Sequence, residues 1–293
     1  MSLDGEEKDN LFNYLFTQTP FQHAPEERKR FILGSDGANI EIAIEGNIGI
    51  QIIRYSLQAF SAVEKEVLKR FGKVFKQAYT RFLDLQKAEA QAREAQIEAA
   101  LERVRAASMA MHKSQELHEV IKVVSEQLVN LGLKWDNAYF VRVLQDGNWD
   151  LYLTTPVQVY PAQIFIPYIE EVIMTSVNDA IGQGRDLFAV YSKEEKYAFV
   201  HHFFTNTPGR DTPEARKEYV LNSSWGLSLF VVKNIGLAVT NYQGVLYSDS
   251  DNGILKRFSK VFEQTYTRFL DLQKAEAQAR EAQIEAALVL VKK

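Results

Sequence analysis

Residues 79–101 read YTRFLDLQKAEAQAREAQIEAAL, and residues 266–288 are the same string at every position, 187 residues further along. Self-similarity of this kind decides the architecture before any single element does. The match extends upstream, where LKRFGKVF at 68–75 recurs as LKRFSKVF at 255–262. Further back it thins: FTQTP at 16–20 pairs with FTNTP at 204–208, and NIG at 47–49 with NIG at 234–236. The offset drifts by one between those two anchors, which marks a single-residue insertion or deletion. Residues 1 to about 105 therefore correspond to the C-terminal part of a unit, and 106–293 to one whole unit. The first copy lacks about 80–90 residues at its start. The helical string is invariant while the rest has diverged. Either a shared mechanical constraint on the string or recent duplication with faster drift elsewhere accounts for that gradient.

The whole unit alternates helix and strand signals. Ser114 is placed to cap a helix with apolar positions at Leu117, Val120, Ile121, Val124, Leu128 and Leu131, ended by Gly132. Strands follow at 138–144 and 149–154, joined by the hairpin signal Asp146-Gly147, with a third strand around 163–168. Helices are expected at 170–181, 193–204 and 212–221, and a short strand at 186–191. A last hairpin, 227–232 and 235–242, turns at Lys233-Asn234. In the first copy the same hairpin alternates Ile40, Ile42, Ile44 and Ile48, Ile50, Ile52, which predicts one buried face. An antiparallel sheet with helices before, between and after its strands is an α+β fold of the GAF/PAS kind. The expected organisation is 1–67, the end of a first unit; 68–112, a connecting helix; 113–251, a complete sensory domain; and 252–293, a C-terminal signalling helix.

From 68 to 111 there is no proline and a single glycine, Gly72, among good helix formers. Such a helix extends ~65 Å at 1.5 Å per residue. Apolar residues recur at Phe71, Phe75, Ala78, Phe82 and Leu85, then Ala88, Ala92, Ala95 and Ala99, where the heptad is interrupted. A second row runs Ile97, Leu101, Val104 and Met111. Heptads with a phase break predict a two-helix coiled coil with a local change in winding. The expected seam of a homodimer is Phe71, Phe75, Ala78, Phe82, Leu85 and Ala92, with Phe258, Phe262, Phe269 and Leu272 in the second copy. The alternative is a helix packed along its own domain.

Composition excludes several classes. With 34 Lys+Arg against 38 Asp+Glu, the chain carries no basic footprint for nucleic acid. There is no cysteine, hence neither disulfide nor thiolate metal site, as suits a reducing cytoplasm. The first ten residues are polar and acidic, so no secretory leader is expected, and no apolar run reaches the ~18 residues of a membrane span.

Catalytic signatures are missing. His118-Glu119 lacks the sequel of a phosphoacceptor box, and Lys122 stands where a second zinc-binding histidine belongs. His201 and His202 point ~100° apart on a helix and do not share a metal. Ser223-Ser224 has no histidine or aspartate partner at a suggestive spacing. No phosphate-cradling glycine motif occurs. Neither metal, cofactor nor catalysis is expected. The aromatics Tyr139, Trp149, Tyr152, Phe199, Phe203 and Trp225 are the candidate lining of a ligand pocket, and equally suit a core.

The string KRFSKVFEQTYTRFLDLQKAEAQAREAQIEAAL at 256–288, with ERVRAASMAMHKSQELHEVIKVVSEQL at 102–128, resembles the repeated GAF-like sensory units of bacterial signalling proteins of the Cytophaga/Bacteroidetes kind, typically parts of sensor histidine kinases. The resemblance implies cytoplasmic sensory input to an output domain elsewhere in a longer protein, and transfers no ligand-binding residue. Three readings stand: a dimeric sensor and transmitter, a docking or spacer module without small ligand, and a regulatory domain for a cyclic nucleotide or similar molecule.

Overall fold

The computed structural model describes residues 1–113, 116–156, 160, 163–233 and 235–291, with side chains to 285. Ser114 and Asn234, expected at a helix cap and a turn, lie outside the described residues. The chain divides into two compact units, Met1–Ala92 and Arg93–Lys293.

Unit 1 begins with a three-residue strand β1 (Ser2–Asp4) and helix α1 (Gly5–Gln18). Asp4 and Glu7 form a reciprocal capping box at the start of α1. A 3₁₀ turn (Pro20–His23), helix α2 (Glu26–Leu33), strands β2 (Gly37–Glu45) and β3 (Ile48–Arg54), and the first part of α3 (Ala62–Ala110) complete it. The sheet is antiparallel in the order β1-β2-β3. Its register corrects the expectation of one buried isoleucine face. Ile42 faces Gln51 and Ile50 faces Ala43, so the two isoleucine rows lie on opposite sides of the sheet. Ile40 is buried, but Ile42 and Ile44 are exposed, because this unit has no helix on that side to match one in unit 2.

Unit 2 contains the rest of α3 from Arg93, then α4 (Leu117–Asn130), β4 (Asn137–Val143), β5 (Trp149–Thr154), β6 (Ile164–Ile166), α5 (Val172–Gly182), β7 (Leu187–Tyr191), α6 (Lys193–Asn206), α7 (Glu214–Asn222), β8 (Trp225–Val232), β9 (Ile235–Asn241) and α8 (Asp249–Val291). Strand order is β6-β5-β4-β9-β8-β7, antiparallel throughout. This is the α+β architecture expected, with helices on both faces.

Two cores result from the strict alternation of strand side chains. On one face Ala138, Phe140, Phe230, Leu237 and Val239 pack against α4, α8 and the α3 residues Ile97, Leu101 and Val104. On the other, Tyr139, Val141, Leu227, Leu229 and Ala238 pack against α5 and α6 through Ile173, Met174, Val177 and Phe199.

The division between the two compact units falls inside α3, between Ala92 and Arg93. Residues 93–110 belong to unit 2: Arg93 donates to the carbonyl of Leu131 at 2.7 Å, and Arg257 of α8 pairs with Glu94 and Glu98. The second apolar row, Ile97, Leu101, Val104 and Met111, is core of unit 2. So are Phe258, Phe262 and Phe269, with Leu272 partly buried beside them; their burial needs no second chain. In the first copy Phe71, Phe75, Phe82 and Leu85 are exposed, as are Ala78 and Ala92.

Candidate functional site

A cavity of about 90 Å³ in unit 2 lies between the sheet and helices α6 and α7. Its floor is Tyr139 of β4, Leu151 and Leu153 of β5, Ile166 of β6 and Trp225 of β8. Its roof is Phe199, Val200, Phe203 and Phe204 of α6 with Arg216 and Val220 of α7. Asn137, Thr155, Tyr160, Thr212 and Tyr242 close the sides. Helix α6 is held there by its start: Ser192 and Glu195 form a capping box, the counterpart of the one at Asp4. Lys196, wholly buried, donates from Nζ to the carbonyls of Val220 and Leu221, tying α6 to the end of α7. Burial lowers its pKa to about 8.

The walls are apolar with a few polar points. The Tyr139 hydroxyl and the Trp225 indole Nε1 are buried without a hydrogen-bond partner. Burial is the first cause raising the Tyr139 phenol well above its ordinary range, so it stays a donor. The Tyr242 hydroxyl accepts from Asn137 Nδ2 at 2.8 Å, and burial pushes it up to about 12. The Arg216 guanidinium lies 5.1 Å from the centre of the Tyr242 ring and 5.3 Å from that of Tyr219. A cation at the rim, two buried donors and an aromatic interior suit a small molecule with an apolar body and an acceptor end.

Of the sequence candidates, Tyr139, Phe199, Phe203 and Trp225 come together here. Trp149 does not line the cavity; it is fully buried in the core with Nε1 donating to Asn178 at 2.6 Å. Tyr152 points to the opposite face of the sheet, its ring edge-on to Phe269 of α8. It sits one residue out of phase with Leu151 and Leu153, which are in the wall. Asn137, Arg216 and Tyr242 were missed; each sits just inside or beyond an element end, and no spacing rule ties them to one another.

The other sequence motifs do not converge on chemistry. His202 bonds the Pro167 carbonyl at 2.8 Å through Nε2, while His201 stacks on Tyr197. His118 lies 3.1 Å from its neighbour Glu119. The Ser223 hydroxyl donates to the Val220 carbonyl. Among the described residues no cluster of three or more His, Asp or Glu could hold a metal ion, and no helix is long and apolar enough to cross a membrane.

No protein-family model matches the chain, and no curated protein does. Among solved structures it is similar to the GAF domain of an Acinetobacter phosphoenolpyruvate-protein phosphotransferase, at 12% identity and TM-score 0.36, over 60% of this chain and 93% of that one. It is similar to fRMsr of Staphylococcus aureus in complex with substrate, at 18% identity and TM-score 0.33, over 58% and 94%. A phycoerythrobilin-bound GAF domain from a cyanobacterial phytochrome stands at 14% identity and TM-score 0.35, over 58% and 96%.

Proposed function

We propose that unit 2 is a GAF-like, non-catalytic sensory domain that takes a small molecule between its sheet and helices α6 and α7, and passes the event through the sheet to α8. One observation carries the reading: adjacent residues of β4 serve the two faces. Tyr139 is in the cavity wall, and Phe140 stacks on Phe262 of α8 from the other side. A shift of β4 on binding therefore acts directly on the packing of the helix that leaves the unit. In this reading the chain is cytoplasmic sensory input of a two-component sensor, and α8 leads toward an output domain.

The cavity is smaller than the ~150 Å³ that holds benzene. An acetate-sized ligand fits it as it stands, whereas benzoate or a cyclic nucleotide needs the aromatic side chains of α6 to swing aside. The tight packing of those aromatics favours the second reading, a docking or spacer module with a dry core. Thermal denaturation with benzoate, acetate and cyclic GMP as probes separates the two. Binding raises the melting temperature with ligand concentration; at a hundredfold excess over Kd the added stability is ~2.7 kcal/mol. Arg216→Gln weakens the response to the anions, and amide exchange in 258–272 changes on binding. No shift with any probe, together with unaltered exchange, favours the spacer.

A further inference from the structure

Two residues of the cavity in unit 2 carry polar atoms that the chain itself leaves without a partner. The Tyr139 hydroxyl and the Trp225 indole Nε1 are buried, in residues each 6% exposed, and neither makes a hydrogen bond. Trp149, in the same core, shows the contrast: its Nε1 donates to Asn178 at 2.6 Å. A buried donor without a partner costs stability, and two of them bordering one cavity call for an acceptor from outside the chain. Burial first, then the neighbouring Tyr191 and Glu171, raise the Tyr139 phenol, so it remains a neutral donor. Glu171 is not in the cavity wall; its carboxylate accepts from the N–H groups of Ile173 and Met174 at the start of α5. Among the described residues of the wall, Arg216 alone is charged, and it is exposed. The site thus has two unlike ends: neutral donors within, in the field of a carboxylate, and a cation at the mouth.

Resting on the reading of unit 2 as a small-molecule sensor, we infer that its ligand is a short-chain oxo acid. Its carbonyl oxygen takes the Tyr139 hydroxyl and Trp225 Nε1, and its carboxylate takes Arg216. A carbonyl oxygen has two lone pairs and no hydrogen to place, which matches two donors; a hydroxyl would bring an O–H that needs an acceptor of its own. A carboxylate at the inner end would exchange its hydration for neutral donors within the field of Glu171, which costs far more than placing a neutral oxygen there. At Arg216 the same carboxylate stays in touch with water and gains charge-assisted hydrogen bonds. The size agrees. With the carboxylate at the exposed mouth, only the carbonyl and a few carbons need the enclosed volume of about 90 Å³. Leu151, Leu153 and Val220 give those carbons an apolar wall.

Thermal melts and calorimetric titrations of the full chain at fixed ionic strength compare α-ketobutyrate, acetoacetate and levulinate with butyrate, valerate and butanone. The three oxo acids differ in how far the carbonyl stands from the carboxylate; the others lack one group or the other. At least one oxo acid is expected to bind about fivefold or more tightly than the saturated acid of its own length, and than butanone. Tyr139→Phe removes a hydroxyl that has no partner to lose, so the melting temperature of the ligand-free chain stays the same or rises slightly. The same variant brings oxo and saturated acids to within about twofold of each other. Arg216→Gln removes the preference for acid over butanone and keeps the preference for oxo over saturated acid. Saturated acids that bind as tightly as oxo acids overturn the assignment, as does a preference untouched by Tyr139→Phe or a ligand-free melt markedly lowered by it; the sensory reading survives each of these. A chain that responds to benzoate or cyclic GMP but to no oxo acid overturns the assignment likewise. No response to any of these compounds takes the sensory reading down with it.

Discussion

Phe75 and Phe262 stand at the same place in two copies of one sequence, yet Phe75 is 48% exposed and Phe262 is 1% exposed. The helices around them, α3 and α8, are near-copies in sequence, and β4 with its Phe140 lies against α8. Phe262→Ala opens a cavity between α8 and the sheet and is expected to cost about 3–5 kcal/mol. Phe75→Ala in dilute solution is expected to stay within about 0.5 kcal/mol. Urea denaturation followed by tryptophan fluorescence and far-UV circular dichroism measures both, and equal costs would sink the distinction.

Three buried tyrosines make unit 2 sensitive to alkali. Burial, the leading cause in each, pushes Tyr242 up to about 12 and raises Tyr139 and Tyr247 in the same direction. An unfolded chain releases these protons near pH ~10, while the folded one still holds them. The stability they contribute is fully present below that pH and is lost as pH rises toward the folded values. The melting temperature of unit 2 should fall steadily above pH ~10, with phenolate absorbance appearing as it unfolds. A melting temperature unchanged through that interval would contradict this.

Gly226, at the start of β8, allows a close approach that no side chain permits. A Cβ there falls 1.9 Å from the carbonyl oxygen of Val245, which also accepts from Asn241 Nδ2 at 2.8 Å. Gly226→Ala is expected to cost at least about 1–3 kcal/mol by overpacking. Gly253→Ala, with nothing within 4 Å in α8, should instead gain up to about 1 kcal/mol. Thermal melts of the two variants should move in opposite directions.

Lys8 and Lys196 are wholly buried at equivalent positions, each donating to carbonyls at the end of the next helix: Leu33 and Ser35 in unit 1, Val220 and Leu221 in unit 2. Replacing either by methionine keeps the stem and removes the donor, leaving buried carbonyls short of a partner. About 1–3 kcal/mol should be lost from the unit that carries the change. A neutral effect in both would show that these lysines do not anchor the helices.

Much of the fold was legible because local rules were obeyed. The Asp146-Gly147 turn placed β4 and β5 within a residue of their observed ends, and the Leu117–Leu128 spacing located α4. β1 was not legible: three residues with a single apolar side chain, Leu3, form a strand only because β2 has an open edge beside them. Four of six pocket candidates lie in the cavity wall. Tyr152 and Trp149 do not, since composition marks an aromatic but only the phase of its strand and its neighbours say which face it serves and whether it meets a void.

The sequence by itself determined that one whole unit follows the C-terminal part of another, where most helices and strands lie, and that both copies carry the same helical string. Those properties follow from repetition, side-chain period and turn chemistry, all local to the chain. Only the tertiary structure decided that the isoleucine rows of β2 and β3 face opposite ways, that Phe258, Phe262 and Phe269 belong to a sheet in their own unit, and that Tyr139 and Arg216 border one cavity. Register and burial depend on which distant segment lies alongside, and the same residues answer differently where that segment is present and where it is not.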